Sequence, residues 1–418
     1  MQRSTKQKTA VLAIACFAVL FGACSAAADV AFRSWLEMLR PEAQSLGVSP
    51  ATFDAATHGL EPDLSLPDLI IPSRPQAPEK GQAEFVQSPA DYLKEATIER
   101  LAVQARKLMT EHRATLAGIE QRFGVAPTML LAIWGRETAF GAHRLPHNAI
   151  RVLATQAYLG RRKDRFRTEF LLALKMLEGR HVTIDDMRSS WAGAMGLTQF
   201  LPSEFYKHGV DFDGDGRVDI WKSVPDALAS AAKQLVDKGW QPRKRWAYEV
   251  RAPAGLDCTL ADPDRKMPIG AWLARGFAPA HGRSLNADER AHEASLLLPE
   301  GTYGPAFLTP KNYFVLKEYN YADLYVLFVG HLSDRISDPR PFETPWAKVA
   351  PLRSSQVEAM QRSLTAQGYY GDKVDGKAGM KTRLALGAYQ KANGLKVDCW
   401  PTAAVLGHMQ TKAPASSQ

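Results

Sequence analysis

Residues 130–141 read Leu-Leu-Ala-Ile-Trp-Gly-Arg-Glu-Thr-Ala-Phe-Gly, an apolar run with one carboxylate, Glu137, near its end. Pro127 suits the first turn of a helix that runs through this stretch. Ile133 and Trp134 lie four and three residues before Glu137 and share its face of the helix. These apolar neighbours favour the protonated carboxyl group that a general acid for glycosidic cleavage requires. Taken alone, the segment is also typical of a helix-end glutamate in water or paired with an arginine.

A second informative segment, residues 190–203, reads Ser-Trp-Ala-Gly-Ala-Met-Gly-Leu-Thr-Gln-Phe-Leu-Pro-Ser. Small residues flanked by aromatic side chains predict a tight turn that lines a cleft, because a sugar ring can approach backbone without bulky side chains. The Gln199 amide can both donate to and accept from hydroxyl or acetamido groups. By itself the segment is as typical of a packed glycine-rich loop as of a binding site.

Together the two segments resemble the lysozyme-like lytic transglycosylases, and specifically the membrane-bound lytic transglycosylase B family. In that family a lone glutamate after an apolar helix precedes a motif that residues 190–203 match at nearly every position. The resemblance extends from about residue 31 to residue 335. It implies a mainly α-helical fold with minor β structure, a lysozyme-like helical catalytic domain over residues 29–336, and Glu137 as its sole catalytic acid/base.

The same resemblance implies several substrate-binding residues. Ser190 and Gln199 stand at positions that contact the substrate in the family. Tyr319 and Asn320, with Tyr325 five residues after Asn320, resemble a Tyr-Asn segment that closes the cleft from a later helix.

The resemblance also bears on Ala322 and on the basic pair Arg161-Arg162. Ala322 stands where relatives often have a serine, so the surroundings of Asn320 are expected to differ slightly from theirs. Arg161 and Arg162 resemble a basic pair placed to meet the carboxylates of peptide stems. The alternative for this pair is the solvated end of a helix.

The chemistry depends on how many carboxylates take part. A hydrolytic glycosidase needs a second one, either as nucleophile or as base for water. Asp185, Asp186 and Glu204 are candidates nearby in the sequence, and none belongs to a recognisable motif. The resemblance implies instead that Glu137 alone cleaves the bond between N-acetylmuramic acid and N-acetylglucosamine and leaves a 1,6-anhydro end. A hydrolytic muramidase and a non-catalytic peptidoglycan-binding scaffold are the alternatives.

Residues 211–219 read Asp-Phe-Asp-Gly-Asp-Gly-Arg-Val-Asp, which matches the opening of an EF-hand loop. Carboxylates this close repel one another unless a cation compensates them, so the loop 211–226 indicates a structural Ca²⁺ site. Lys222 replaces the usual bidentate glutamate, and Asp226 can supply that contact from the next helix. An acidic turn with an aspartate N-cap is the alternative. The predicted ligands are Asp211, Asp213, Asp215, Arg217 through its backbone carbonyl, and Asp226.

The last part of the chain, residues 354–410, resembles the small three-helix peptidoglycan-binding domain. The Asp-Gly turn at residues 375–379 and the Tyr-Gln helix end at residues 389–395 are its most recognisable pieces. Cys399-Trp400-Pro401 stands where relatives commonly have a glycine-containing turn. Residues 337–353 are the predicted linker. Such a domain raises the local concentration of an enzyme on an insoluble polymer; a non-binding helical appendage is the alternative.

The N-terminus has the pattern of a secretory signal over residues 1–28, with three basic residues, an apolar stretch from Ala10 to Phe21, and then small residues. The apolar stretch is too short for a stable membrane-spanning helix. Cleavage after Ala28 and acylation of Cys24, which would anchor the protein to the outer membrane, are both open. Either route predicts a periplasmic protein.

Helical periodicity covers much of the remaining chain. The pattern is helical over Phe32–Leu60, Ala90–Phe123, Leu153–Leu177, Ala227–Lys238 and Asn320–Leu332. Residues 242–310 alternate β-rich and turn-rich patches with short helical ones, and periodicity leaves that region unassigned.

Composition excludes several classes of protein. A chain of 418 residues, 45% hydrophobic and 23% charged, is neither a single small domain nor wholly disordered. The net charge of +8 favours acidic partners in general, but it is too modest and scattered to indicate nucleic acid. We expect a monomer that acts on glycan strands without an organic cofactor.

The cysteines of the mature chain are Cys258 and Cys399 in either processing route. An exported protein can keep a disulfide. Because the two residues fall in different predicted domains, two separate buried thiols are the favoured interpretation over a bridge.

Overall fold

The computed structural model describes residues 30–72, 87–347, 349 and 352–412. The predicted signal segment, including Cys24, lies outside the described residues. Within the described ranges, no helix combines the length and the apolar composition needed to cross a membrane.

The expected mainly α-helical fold is confirmed. Most helices lie where the sequence is periodic, since each buries an apolar face against its neighbours. The helices span 30–38, Arg40–Ser45, Pro50–Thr57, Pro89–Tyr92, Glu95–Glu111, Arg113–Phe123, Pro127–Thr138, Ala149–Leu159, Lys163–Glu178, Pro202–His208, Val224–Asp237, Ile269–Ala274, Ala287–Ala291, Lys311–Tyr319, Asp323–Ser337, Ser354–Ala366, Met380–Ala392 and Ala403–Lys412.

The prediction of one helix from Asn320 to Leu332 is wrong at its start. One helix ends at Tyr319, Asn320 is extended (φ −148°, ψ 123°), and the next helix begins at Asp323. The Asn320 side chain accepts a hydrogen bond from the backbone N–H of Ala322 at 3.0 Å. This local bond offers the backbone an alternative to the helix, which is why asparagine interrupts the pattern here.

The described chain divides into two compact units. The first contains the described residues of Met1–Glu79 and His143–Ala227, and the second contains those of Lys80–Ala142 and Leu228–Gln418. The first unit therefore carries the 190–203 segment and the acidic loop. The second unit carries Glu137 and the C-terminal helices.

In the first unit, the helices Ala149–Leu159 and Lys163–Glu178 pack on each other through fully buried side chains such as Leu153 and Phe170. Two short antiparallel strands, β1 (His147–Asn148) and β2 (Arg188–Ser189), precede and follow this pair. Strand β2 leads directly into the 190–203 segment, so its position depends on this small sheet.

In the second unit, three helices form the core around the Glu137 segment. These helices, Glu95–Glu111, Pro127–Thr138 and Asp323–Ser337, pack against one another. Ile98 and Leu131 are fully buried between them. The last turn of Pro127–Thr138 is therefore held on a rigid support.

The second unit also contains an antiparallel sheet, in the region that periodicity leaves unassigned. Three of its five strands have four or five residues and two have only two, which is too short for a recognisable alternation. The strands are β3 (Tyr248–Arg251), β4 (Met267–Pro268), β5 (Ala278–Pro279), β6 (Glu293–Leu297) and β7 (Ala306–Thr309). Their order in the sheet is β4-β6-β7-β3-β5.

Cys258 and Cys399 form a disulfide, so the expectation of two separate thiols is wrong. Their Cα atoms are 6.0 Å apart although 141 positions separate them in the chain. Both side chains belong to the buried cluster of the sheet, together with Val250 and Trp272. The pairing depends on how the C-terminal helices pack against the sheet, which residue spacing does not reveal.

The predicted three-helix C-terminal domain is confirmed. Its core contains Leu386 and Tyr389. The buried Gln361 side chain accepts hydrogen bonds from the backbone N–H groups of Asp375 and Gly376 at 2.9 and 2.8 Å. These bonds hold the Asp-Gly turn that the sequence singled out.

Candidate active site

Glu137 lies in the last turn of the helix Pro127–Thr138, and its side chain is half-buried. The helix ends because Ala139 and Phe140 both adopt left-handed backbone conformations, with φ of 48° and 61°. The Phe140 ring then packs edge-on against Trp134, with ring centroids 5.5 Å apart. The carboxylate is thus presented at the end of a helix whose other side chains are largely buried.

The Tyr325 hydroxyl donates a hydrogen bond to Oε1 of Glu137. Burial, followed by the negative charge of Glu137, raises the pKa of Tyr325 well above its ordinary value. Tyr325 therefore remains a neutral hydroxyl donor at physiological pH. Its ring stacks on that of Tyr319, with centroids 6.3 Å and planes 9° apart. The structure brings these three predicted residues together, and the interruption of the helix at Asn320 lies between the two tyrosines in the chain.

Arg136, which the sequence analysis did not single out, also belongs to this cluster. Its guanidinium lies over the rings of Tyr92 and Phe328, 4.8 and 5.0 Å from their centroids, and donates to the Tyr92 hydroxyl. Burial opposes its charge, but the nearby oxygens of Tyr92, Glu137 and Tyr325 outweigh burial and raise the pKa of Arg136. The sequence does contain a signal for this residue, namely a charged side chain inside an otherwise apolar helix.

In the first unit, residues 190–203 form the tight turn that the sequence predicts. The Ser190 hydroxyl accepts hydrogen bonds from backbone N–H groups two and four residues later, at 3.3 and 3.2 Å. Met195 and Phe200 exchange two backbone hydrogen bonds of 2.8 Å. The loop is therefore held by its own polar groups.

Three residues of this loop have left-handed backbones: Gly193, Gly196 and Gln199. Gly193 has a φ of 83°, and a Cβ atom there would lie 2.2 Å from Cδ2 of Leu153, so only glycine fits. Gln199 has a φ of 57° although it carries a side chain, and its Nε2 donates to the carbonyl of Gly196 at 2.9 Å. Strain of this kind is concentrated at functional positions.

Arg161 and Arg162 both pair with Asp68 in the first unit. Nε of Arg161 lies 3.1 Å from Oδ1 of Asp68, and a terminal nitrogen of Arg162 lies 3.3 Å from Oδ2. The two side chains are 30% and 48% exposed, so they remain accessible to an acidic ligand. Their role towards peptide stems stays a prediction.

Three of the predicted metal ligands come together in the first unit. Asp211, Asp213 and Asp226 each place a carboxylate oxygen within 4.8 Å of the other two. Asp215 lies outside this cluster, and its Oδ1 accepts a hydrogen bond from the backbone N–H of Arg217 at 2.8 Å. Asp226 thus lies beside the two loop carboxylates, and the role of the cluster as a metal site stays a prediction.

The surroundings of the cluster fit a hard cation. Oδ1 and Oδ2 of Asp226 accept from the backbone N–H groups of Phe212 and Asp219 at 2.8 and 2.9 Å, which ties both ends of the loop together. Lys222 pairs with Asp186 at 2.8 Å, so its ammonium group is engaged by another carboxylate. Ca²⁺ takes about 6–8 oxygen ligands, and these carboxylates can supply part of that set.

A half-buried glutamate that accepts a hydrogen bond from a tyrosine hydroxyl can act as a general acid and base. Residues 31–334 match the family described as Transglycosylase SLT domain. The chain belongs to that family. Residues 353–409 match the family described as Putative peptidoglycan binding domain.

Solved structures agree with this assignment. SltB3 from Pseudomonas aeruginosa, in complex with NAG-anhNAM-pentapeptide, is 37% identical with a TM-score of 0.80; the similarity covers 91% of this chain and 99% of SltB3. The Escherichia coli lytic transglycosylase SLT35, in complex with calcium, is 26% identical with a TM-score of 0.52; that similarity covers 62% of this chain and 81% of SLT35.

A curated relative agrees as well. Membrane-bound lytic murein transglycosylase B from Escherichia coli (strain K12) is 29% identical over 220 residues. The matched region is 52% of this chain and 58% of that relative, so it spans less than two thirds of the relative's length.

Proposed function

We propose that the protein is a lytic transglycosylase that cleaves peptidoglycan between N-acetylmuramic acid and N-acetylglucosamine. The observation that carries this proposal is the hydrogen bond from buried Tyr325 to the half-buried carboxylate of Glu137. SltB3, whose similarity covers 91% of this chain, was solved in complex with NAG-anhNAM-pentapeptide. An anhydro-muramoyl end is what a reaction without water leaves.

Glu137 acts first as an acid and then as a base. It transfers its proton to the bridging oxygen, the bond from that oxygen to C1 breaks, and N-acetylglucosamine leaves with a free 4-hydroxyl group. The carbonyl oxygen of the muramoyl N-acetyl group stabilises the positive charge at C1. The Glu137 carboxylate then takes the proton of the 6-hydroxyl group as its oxygen bonds to C1, so the anhydro ring closes and Glu137 is protonated again.

Tyr325 and Arg136 support the second half of this cycle. A hydroxyl donor and an adjacent positive charge both stabilise the ionised form of Glu137. That form appears only after the glycosidic bond has broken. The two residues therefore stabilise the charged intermediate more than the starting complex, which is how preorganised polar groups accelerate a reaction.

We assign the remaining site residues by their chemistry. Ser190, Gln199 and Asn320 carry the hydroxyl and amide groups that recognise acetamido and hydroxyl groups of a sugar. Tyr319 is assigned as an aromatic face for a sugar ring. Arg161 and Arg162 are assigned to the stem carboxylates, which would compete with Asp68 for the two guanidinium groups.

The acidic loop is assigned to Ca²⁺, held by Asp211, Asp213 and Asp226. SLT35 was solved in complex with calcium, which supports this assignment. The ion supplies charge neutralisation that holds the loop, and it takes no part in the chemical step.

The C-terminal domain is assigned to retention of the enzyme on the cell wall. The signal pattern and the proposed substrate support a periplasmic location, where peptidoglycan lies. Mass measurement of the mature N-terminus distinguishes an acylated Cys24 from a chain that begins at Asp29.

Mass spectrometry of fragments released from purified peptidoglycan tests the proposed reaction. The wild type is expected to release muropeptides lighter by one water than hydrolysis products and resistant to borohydride reduction. Glu137→Gln should lower the rate by about 10³-fold, since it cannot transfer a proton. The matched control is Asp185→Asn, an exposed carboxylate that should leave the rate unchanged.

Other outcomes identify the alternatives. Reducing ends in the wild-type products would identify a hydrolase that uses a second carboxylate. Binding to peptidoglycan without release of any fragment would identify a scaffold protein.

A further inference from the structure

The C-terminal domain contacts the helix that supplies the Tyr325 hydroxyl. Arg383, on the second helix of that domain, is 7% exposed, and its guanidinium donates to Oδ2 of Asp323 at 2.8 Å. Asp323 is the first residue of the helix Asp323–Ser337 and lies two positions before Tyr325. One ion pair therefore connects the C-terminal domain to the element that reaches Glu137.

Asp323 is the centre of a small polar network. Its Oδ1 accepts from the Tyr313 hydroxyl at 2.8 Å and from Nζ of Lys317 at 2.5 Å, while Oδ2 accepts from Arg383. Burial favours protonation of Asp323, but the charges of Lys317 and Arg383 outweigh burial and hold the pKa of Asp323 well below its usual range. A desolvated and fully paired carboxylate of this kind has one strongly preferred position.

The C-terminal domain is also held independently of this ion pair. The disulfide between Cys258 and Cys399 attaches it to the sheet, and Nζ of Lys391 lies 2.9 Å from a carboxylate oxygen of Asp257. These contacts do not involve the helix that carries Tyr325. Loss of the Arg383 side chain can therefore be tested without detaching the domain.

We propose that Arg383 is a positioning residue for the acid/base site. By holding Asp323, it holds the first turn of the helix that presents the Tyr325 hydroxyl to Glu137. The inference rests on the proposed role of Glu137. It gives the C-terminal domain a second role, since that domain completes the catalytic unit in addition to binding the polymer. Displacement of a catalytic group by about 1 Å can cost about 100-fold in rate.

A double-mutant cycle between Arg383 and Tyr325 tests this role in the full chain, with soluble uncross-linked glycan strands as substrate. Arg383→Gln is expected to lower kcat about tenfold and to leave KM within about twofold. In the Tyr325→Phe background, the same change should cost less than about twofold, because the group through which Arg383 acts is already absent. Lys391→Gln is the matched control and should change neither constant.

A second measurement needs no turnover. In protein labelled with ¹³C at the glutamate carboxyl carbons, the Glu137 signal is assigned by its loss in Glu137→Gln and titrated by NMR. Arg383→Gln should raise the pKa of Glu137 in the same direction as Tyr325→Phe does, because both weaken a donor to the ionised carboxylate. Arg383→Lys should restore part of the wild-type behaviour, since it keeps the charge opposite Asp323.

The outcomes are distinct. Rate losses that multiply in the double variant, or an unchanged Glu137 titration in Arg383→Gln, would overturn the positioning role. A wild-type protein that cleaves no glycan would refute the proposed function alone, because the titration still reports whether Arg383 acts on Glu137. Circular dichroism and the disulfide content of each variant separate loss of position from loss of fold.

Discussion

Glu300 is a fully buried glutamate outside the acid/base site. Its Oε2 accepts a hydrogen bond from the backbone N–H of Ala347 at 3.0 Å, and its Oε1 has no hydrogen-bond partner among the described residues. Burial raises the pKa of Glu300 to about 7, and the hydrogen bond only partly opposes that effect. The folded protein therefore binds a proton that an exposed glutamate releases near pH 4.5.

Because the folded state binds this proton, the free energy of unfolding decreases as the pH rises. Because the folded state binds it more tightly, the contribution of Glu300 is greatest below pH 4.5 and is lost as the pH rises towards 7. We predict that the free energy of unfolding falls by about 2–3 kcal/mol across this window from this group. Urea unfolding of the wild type and of Glu300→Gln at several pH values measures the difference.

The control is Glu343→Gln. Hydrogen bonding to the backbone of His281, opposed by burial and aided by Arg251, lowers the pKa of Glu343. The contribution of Glu343 therefore has the opposite sign and is lost as the pH falls. Identical pH slopes for the wild type and Glu300→Gln would show that Glu300 is not the source.

Among the helices, Asp323–Ser337 makes an unusually close contact, between Gly330 and the ring of Trp246. A Cβ atom at Gly330 would lie 2.2–2.5 Å from ring atoms of Trp246. The indole N–H of Trp246 also donates to Oδ2 of Asp334 at 3.0 Å, which holds the ring against the helix. Glycine in mid-helix is usually unfavourable, and here the close contact explains it.

We predict that Gly330→Ala destabilises the protein by about 1–3 kcal/mol, because the added methyl group overpacks the contact with Trp246. The matched control is Gly407→Ala, in a helix where a Cβ atom would meet nothing within 4 Å. That change should stabilise the fold by about 0.5–1 kcal/mol through helix propensity. Chemical denaturation measures both; a stabilising Gly330→Ala would contradict the close contact.

The acidic loop is the second element with a measurable consequence. Under the proposed assignment, Ca²⁺ binds the folded loop and not the unfolded chain, so at 100 times its Kd it should add about 2.7 kcal/mol of stability. We predict that Ca²⁺ raises the Tm and that EDTA reverses the effect. Asp213→Asn should remove most of the response, whereas Asp185→Asn, outside the loop, should keep it. A wild-type Tm that does not change when Ca²⁺ is added would contradict the proposed site.

At the scale of the whole molecule, the disulfide between Cys258 and Cys399 joins the sheet to the C-terminal domain across 141 positions. Closing a loop of that length lowers the entropy of the unfolded chain and so raises its free energy by at most about 5 kcal/mol. Measured contributions to stability are usually smaller. We predict that replacing both cysteines with serine lowers stability by about 2–4 kcal/mol.

Thermal unfolding with and without dithiothreitol measures this contribution. The reductant should bring the Tm of the wild type down to that of the double variant and leave the variant unchanged. If the Tm of the wild type does not change when the reductant makes its thiols titratable, the disulfide adds no stability.

Most helices could be predicted from the sequence, since apolar periodicity and turn residues act over one or two turns of chain. The C-terminal domain was predicted from its resemblance to a known domain. The sheet could not be predicted, because two-residue strands such as β4 and β5 have no readable alternation. The break at Asn320 was missed because a single side-chain hydrogen bond to Ala322 outweighs the helical pattern around it. Asp215 matches the EF-hand pattern in the sequence but lies outside the cluster of Asp211, Asp213 and Asp226.

Features that depend on neighbouring residues follow from the local sequence: the apolar helix with Glu137 in its last turn, the tight turn at residues 190–203 and the acidic loop. Contacts between distant residues depend on the tertiary structure. Tyr325 reaches Glu137 across 188 positions, and Arg383 reaches Asp323 across 60. Such contacts form only when whole helices pack, and packing depends on shape and burial summed over the chain, which no local pattern encodes.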